Sequence, residues 1–195
     1  MIDAAERLIA DRGIGNVSVR DITSAAGVNT AAVNYHFGTK EGLLEAIVQL
    51  HAERFASRRA ELLKDVPEDE RTLDTVVRAL VVATAELAAD DEHGGRLFLA
   101  CKQRMHADPS ALALLERYFE PYTTDFLRAL KAVTPHLPRD VRVLRFALAR
   151  DAVDRAFSTD AYPGWIERRV GDMFDHDEYT EQVIKFVVAG IAADA

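Results

Sequence analysis

Residues 18–44 read SVRDITSAAGVNTAAVNYHFGTKEGLL, and this stretch decides the fold. Ser18 followed three residues later by Asp21 has the form of a capping box, in which two side chains satisfy backbone N–H groups that the first helical turn leaves unpaired. Gly27 ends that helix after about two turns, because glycine takes the left-handed conformation at little cost. Asn29 or Thr30 caps a third helix reaching about residue 37, Gly38 breaks the chain, and Thr39 caps a long helix over about 40–64. Two short helices joined through a glycine turn cross steeply, as in a helix-turn-helix unit. Ile22, Ala26, Val28, Val33 and Phe37 fall where these helices must pack on each other and on the helix before them.

The second short helix carries Asn29, Thr30, Ala31, Ala32 and Asn34, small or polar residues that leave an outer face thin enough for a DNA major groove. Tyr35, His36 and Lys40 follow where donors reach backbone phosphates, and Lys40 adds its charge to a helix N-terminus that already favours anions. Ser18 and Arg20 flank the start of the first short helix. The candidate DNA contacts are therefore Ser18, Arg20, Thr30, Asn34, Tyr35, His36 and Lys40.

Outward from this stretch, nearly every segment carries helical periodicity. A first helix spans about 2–12, with Ala5, Leu8 and Ile9 on one face and Gly13 and Gly15 after it. Beyond a charged linker at 66–71, helices are expected over about 73–89, 96–106, 139–157 and 178–193, with another opening at Pro109 and carrying Leu112, Leu115, Phe119, Phe126 and Leu130. Asp108-Pro109 supplies a cap followed by proline in the first turn. Pro121 is expected to kink or split its helix. A looser stretch around Pro163, Gly164 and Trp165 precedes a last helix capped by Asp177.

The chain has 195 residues, 49% of them hydrophobic and 29% charged, enough to bury a core. It has no apolar run of membrane-spanning length and no signal-peptide pattern at its start. One cysteine, Cys101, leaves no internal disulfide. These features set a cytoplasmic location as the expectation. The net charge is −8, and even residues 1–50 hold Arg7, Arg12, Arg20 and Lys40 against Asp3, Glu6, Asp11, Asp21, Glu41 and Glu45. Phosphates are met by a local patch rather than by net charge. No HExxH pair, nucleophile elbow or Gly-rich phosphate loop occurs, so no metal, no cofactor and no enzymatic activity are expected.

With IDAAERLIADRG at 2–13, then SVRDI, AAGV and VNYHFGTKEGLLEAI, residues 2–50 resemble the TetR family of regulators. Tyrosine-x-phenylalanine followed by glycine, a hydroxyl residue, lysine and glutamate is the family's most recognisable signature. The resemblance implies a homodimer on a palindromic operator of double-stranded DNA, usually a repressor released by a small-molecule effector. Three departures stand out. The sequence begins at Met1 inside the first helix, so the basic arm common ahead of it is either missing or trimmed away; Thr23 stands where many members have alanine; and Ala31 and Ala32 offer few hydrogen bonds to bases. Specificity is left to Asn34, Thr30, methyl contacts or DNA shape.

The expected protein is all-α. A helix-turn-helix DNA-binding domain occupies 1–46 and a larger helical ligand-binding and dimerisation domain 47–195. Phe98, Cys101, Met105, Tyr118, Tyr122, Phe126 and Trp165 are the candidate effector-pocket residues, beside the alternative that they are ordinary core. The pocket is placed between the fourth helix and the Pro121 helix, with Arg96, Arg104 or Arg150 available for a polar end of the ligand. The dimer interface is placed on helices 139–157 and 178–193, the second being apolar nearly all round through Val183, Ile184, Phe186, Val187 and Val188.

Overall fold

The computed structural model describes residues 1–90, 94–158, 161–171 and 175–193, and among them every regular element is a helix. Three helices form the head: α1 (Ile2–Arg12), α2 (Val19–Ala26) and α3 (Thr30–Phe37). The long α4 (Lys40–Lys64) leads into α5 (Leu73–Ala89), α6 (Gly95–Met105), α7 (Pro109–Val133), α8 (Arg139–Phe157), α9 (Ala161–Val170) and α10 (His176–Ala192). Short 3-10 turns at Ile14–Asn16 and Glu68–Glu70 fill the joints after α1 and α4.

The helix ends follow from their caps. Ser18 and Asp21 form the capping box of α2, Thr39 accepts from the Gly42 N–H, and Asp108 accepts from the N–H groups of Ser110 and Ala111. Gly27 sits at φ 66°, ψ 28°, the left-handed turn that lets α3 leave α2 at an angle.

α5 is the centre of the body. Val76, Val77, Leu80, Val81 and Leu87 are buried on different sides of it, and it packs against α4, α6, α7, α8 and α10. A helix apolar all round can only be covered all round. The head joins the body through α1, which packs along α6, and through α4, which α3 packs against.

Several expectations need correction. Pro121 does not split its helix: α7 runs unbroken for 25 residues. The proline is exposed, and buried Ala111 and Leu115 before it and Phe126 and Leu130 after it hold both halves to the body, outweighing one lost backbone bond. The stretch expected to be loose is α9, with Pro163 in its first turn, where the missing N–H is not needed. The last helix is capped by Asp175, which accepts from the Glu178 N–H, and not by Asp177. Val28 is 40% exposed instead of packing inside the head. In α10, Ile184, Val187 and Ile191 face the chain's own core, while Phe186 points out at 69% exposure. Val187 therefore cannot form the centre of an intersubunit face.

Candidate nucleic-acid interface and effector cleft

Within α3, Val33 is fully buried and Phe37 half-buried, anchoring the helix against the head. The Asn29 side chain accepts from the Ala31 N–H at 3.0 Å, so the N-terminus of α3 is capped. Tyr35 is 85% exposed, its ring edge-on to His36 with centroids 5.0 Å apart. His36 is also exposed. Thr30 and Asn34 fall within α3, and their side chains lie outside the described ones.

The hydroxyl of Ser18 is committed to its capping box. It donates to Asp21 Oδ2 at 2.5 Å and accepts from the Asp21 N–H at 3.2 Å. The Ser18 hydroxyl and the Ser18 N–H, the latter at 2.8 Å, both donate to Asp21 Oδ2 and hold the Asp21 carboxyl below its usual range. Arg20 is exposed, and no carboxylate among the described residues lies at ion-pair distance from it. Lys40 is half-buried and donates from Nζ to the Ile14 carbonyl at 2.6 Å, leaving its other N–H groups directed elsewhere. Thr23, the departure in α2, is buried with its hydroxyl donating to the Arg20 carbonyl at 3.2 Å.

The acidic balance of the head is largely spent internally. Glu6 is buried against His51, Asp21 is in its capping box, Asp11 lies 3.6 Å from Arg12, and Glu45 accepts from Arg117 and Tyr118. Sequence reading missed the role of Gly42. A Cβ there would stand 2.1 Å from the Phe37 carbonyl oxygen, so glycine is what allows α4 to start so close under the end of α3. The signal was available as a glycine in a first helical turn, where alanine is otherwise preferred.

In the body, a cleft of about 940 Å³ opens between α4 and α7. Ala56, Ala60 and Leu63 form one wall, and Ala129, Ala132 and Val133 the other, with Tyr122 and Phe126 also lining it. A smaller cavity of about 230 Å³ lies deeper among α4 to α8. Its lining includes Phe55, Leu80, Phe119 and the buried ion pair of Lys102 with Asp154 at 2.6 Å. The Lys102 ammonium also lies 4.8 Å from the centroid of Phe119. His106 borders this cavity, its pKa pushed down by burial and by Lys102 and Arg150 nearby.

Of the expected pocket residues, the structure brings Tyr122 and Phe126 to the cleft. Phe98, Cys101 and Met105 are fully buried in the core, and burial pushes the Cys101 thiol far up. Tyr118 donates to Glu45 Oε1 at 2.6 Å, a bond that raises its hydroxyl pKa. Trp165 lies on α9 under the Arg169 guanidinium, 4.2 Å from its ring centroid, and lines neither cavity. Arg96 donates to the Ala88 carbonyl and Arg104 to the Ala10 carbonyl, so neither turns to the cleft. Arg150 lines the inner cavity and is paired with Asp151. The cation that lines both spaces is Arg59. The apolar stripe of α4 through Ile47, His51 and Phe55 continues at position 59, which is the signal that points this arginine inward.

Among the described residues no group of three or more His, Cys, Asp or Glu is placed to hold a metal, and no helix is long and apolar enough to cross a membrane.

Comparison with known proteins gives a consistent result. The family description "Bacterial regulatory proteins, tetR family" matches residues 1–47, and "Tetracyclin repressor-like, C-terminal domain" matches residues 78–190. The HTH-type transcriptional repressor KstR2 of Rhodococcus jostii is 29% identical over 77 residues, which is 40% of this chain and only 38% of that relative's length. The fatty acid degradation regulator FadR of Bacillus halodurans superposes with a TM-score of 0.67 at 19% identity, over 99% of this chain and 95% of its own. FadR of Bacillus subtilis in complex with stearoyl-CoA gives a TM-score of 0.60 at 20% identity, covering 97% of each chain. These two structures share the fold. With its head and most of its body matched in turn, the chain belongs to the TetR family of bacterial regulatory proteins.

Proposed function

We propose that the chain is a ligand-responsive repressor that binds a palindromic operator as a homodimer in the cytoplasm and is released by a small, mainly apolar effector. The observation that carries this reading is α3, anchored by buried Val33 and presenting an 85% exposed Tyr35 beside His36. In this reading α3 enters the major groove. Tyr35, His36, Arg20 and Lys40 meet phosphates around it, Ser18 offers its helix start, and Thr30 and Asn34 face the bases. Residues 1–46 act as the reading head and 47–195 as the sensing and pairing body. α4 crosses that boundary, and its 25 residues span roughly 37 Å.

Pairing is assigned to α8 and α10. Leu144 and Leu148 on α8 are 59% and 63% exposed, and Phe186 on α10 is 69% exposed. Two copies of these helices packed together would bury all three in a four-helix bundle. A Phe186→Asp change should convert the dimer to a monomer in analytical ultracentrifugation while leaving the fold intact. The effector is assigned to the cleft between α4 and α7, whose alanine walls suit an apolar body. The stearoyl-CoA bound to FadR of Bacillus subtilis is in keeping with an apolar effector in a protein of this fold.

Gel shifts on the promoter regions flanking the gene test the reading. Specific retardation is expected, weakened by Tyr35→Ala, and by Lys40→Ala with a salt slope smaller by about one ion. Failure to retard any flanking fragment more than unrelated DNA would overturn it.

A further inference from the structure

We infer that the effector site is built for an organic anion, a carboxylate or phosphate on an apolar body, whose charged end is held by Arg59 between the outer cleft and the inner cavity. The inference rests on the reading of the α4–α7 cleft as the effector site.

Arg59 borders both spaces. Its guanidinium carries five N–H donors, and no hydrogen bond or ion pair to it occurs among the described residues. The protein contact it does make is with the ring of Phe126, 5.7 Å from guanidinium carbon to centroid. A ring face offers attraction to the charge but no acceptors for the donors. Burial draws the arginine's pKa down, and Asp154 opposes that from a distance. Asp154 is not free to answer it, because its carboxylate is held by Lys102 at 2.6 Å.

The other carboxylates around the two spaces are similarly occupied or solvated. Asp125 is paired with Arg128 at 2.7 Å, and Glu68 lies 3.6 Å from Arg71. Glu53, Glu116 and Glu120 are exposed. A half-buried guanidinium facing a cavity with its donors unused is complementary to a planar carboxylate or a phosphate, which accept two of its N–H groups at once. Ala56, Ala60, Ala129 and Ala132 then leave room along the outer cleft for the apolar body of the same molecule. The neighbouring Arg58 is unsuited to this role, since it is spent on Glu86 and Glu61.

The test is calorimetric titration of the full chain with decanoate, decyl phosphate, decanol and decyltrimethylammonium, below their micelle concentrations. Wild type should bind at least one of the two anions ten-fold or more tightly than decanol, and the ammonium most weakly; which anion leads identifies the oxyacid. Arg59→Met should bring anion and decanol affinities within about threefold of each other. Arg59→Lys should keep part of the preference, and it decides the matter if the Met variant does not fold. Equal affinity of wild type for anions and decanol, or an anion preference that survives Arg59→Met, overturns the inference. Ala129→Trp separates the two levels. If it blocks decanol and anions that bind equally well, the cleft stands and the anion site falls. If no probe binds wild type, both fall.

Discussion

The two sides of α4 meet different surroundings. Toward α1 and α6, His51 is fully buried, stacked on Phe98 with centroids 4.0 Å apart and hydrogen-bonded through Nε2 to Glu6 Oε1 at 2.7 Å. Toward α7, alanines face one another across an open cleft. On the first side, buried Glu6 Oε2 and His51 Nδ1 have no hydrogen-bond partner among the described residues. The second has space to spare. The sealed side ties the head to the body, so under the proposed reading it would carry a displacement to the head, and the open side is where the proposed effector would impose one. A helix that were loose on both sides would not transmit anything.

The largest effect should come from breaking the sealed side. His51→Ala strands the buried Glu6 carboxyl and opens a void beside Phe98, at a cost of about 3–5 kcal/mol in chemical denaturation. Replacing both partners, as Glu6→Leu with His51→Leu, should recover most of that loss. If His51→Ala is as stable as wild type, the junction is not the tight element described here.

Gly42→Ala comes next. The added methyl meets the backbone oxygen of Phe37, which has no side-chain freedom with which to retreat. Loss of about 1–3 kcal/mol is expected, with operator binding impaired because the end of α3 shifts.

The third test uses pH. Burial raises the Glu6 carboxyl above its ordinary 4.5, with the His51 hydrogen bond working against that shift. The folded chain therefore binds this proton more tightly than the unfolded chain. The associated stability is fully present below the unfolded value and is lost as pH rises through the folded one. Wild type should lose stability relative to Glu6→Gln over that window. Parallel pH profiles of the two proteins would remove the shift.

The smallest effect on stability belongs to the open side. Ala129→Trp should change the unfolding free energy by under about 1 kcal/mol, because the ring enters existing space. It should nevertheless abolish the response to effector while operator binding persists in gel shifts.

Most of the head was legible from sequence because its signals are local. Ser18, Asp21, Gly27, Asn29 and Thr39 each act on backbone groups within a few residues, and each sits where the pattern places it. The body was legible as helices but not as surfaces. Periodicity shows that α10 has apolar residues on several sides; it does not show that α5 and α8 cover Val187 and leave Phe186 bare. Pro121 was read from its local cost alone, whereas packing on both halves of α7 decides its outcome. Aromatic residues drew the pocket prediction, yet Phe98 fills core, and the cleft is made by small residues whose contribution is the volume they leave empty. Arg59 gives little signal on its own, because one charged letter beside another reads as surface until the helix phase is followed from Ile47 through His51 and Phe55 to position 59.

The bond from Lys40 to the Ile14 carbonyl has a consequence in entropy. Immobilising a lysine side chain costs up to about 1.5–2 kcal/mol of rotamer freedom. Here that loss is incurred when the head folds, long before DNA arrives. If a phosphate meets this ammonium as proposed, it would take a charge already fixed in position, its attraction not diluted by the ordering of a floppy chain. Cutting the tether, by any change that moves the Ile14 carbonyl away, should weaken operator affinity without deleting a single cation.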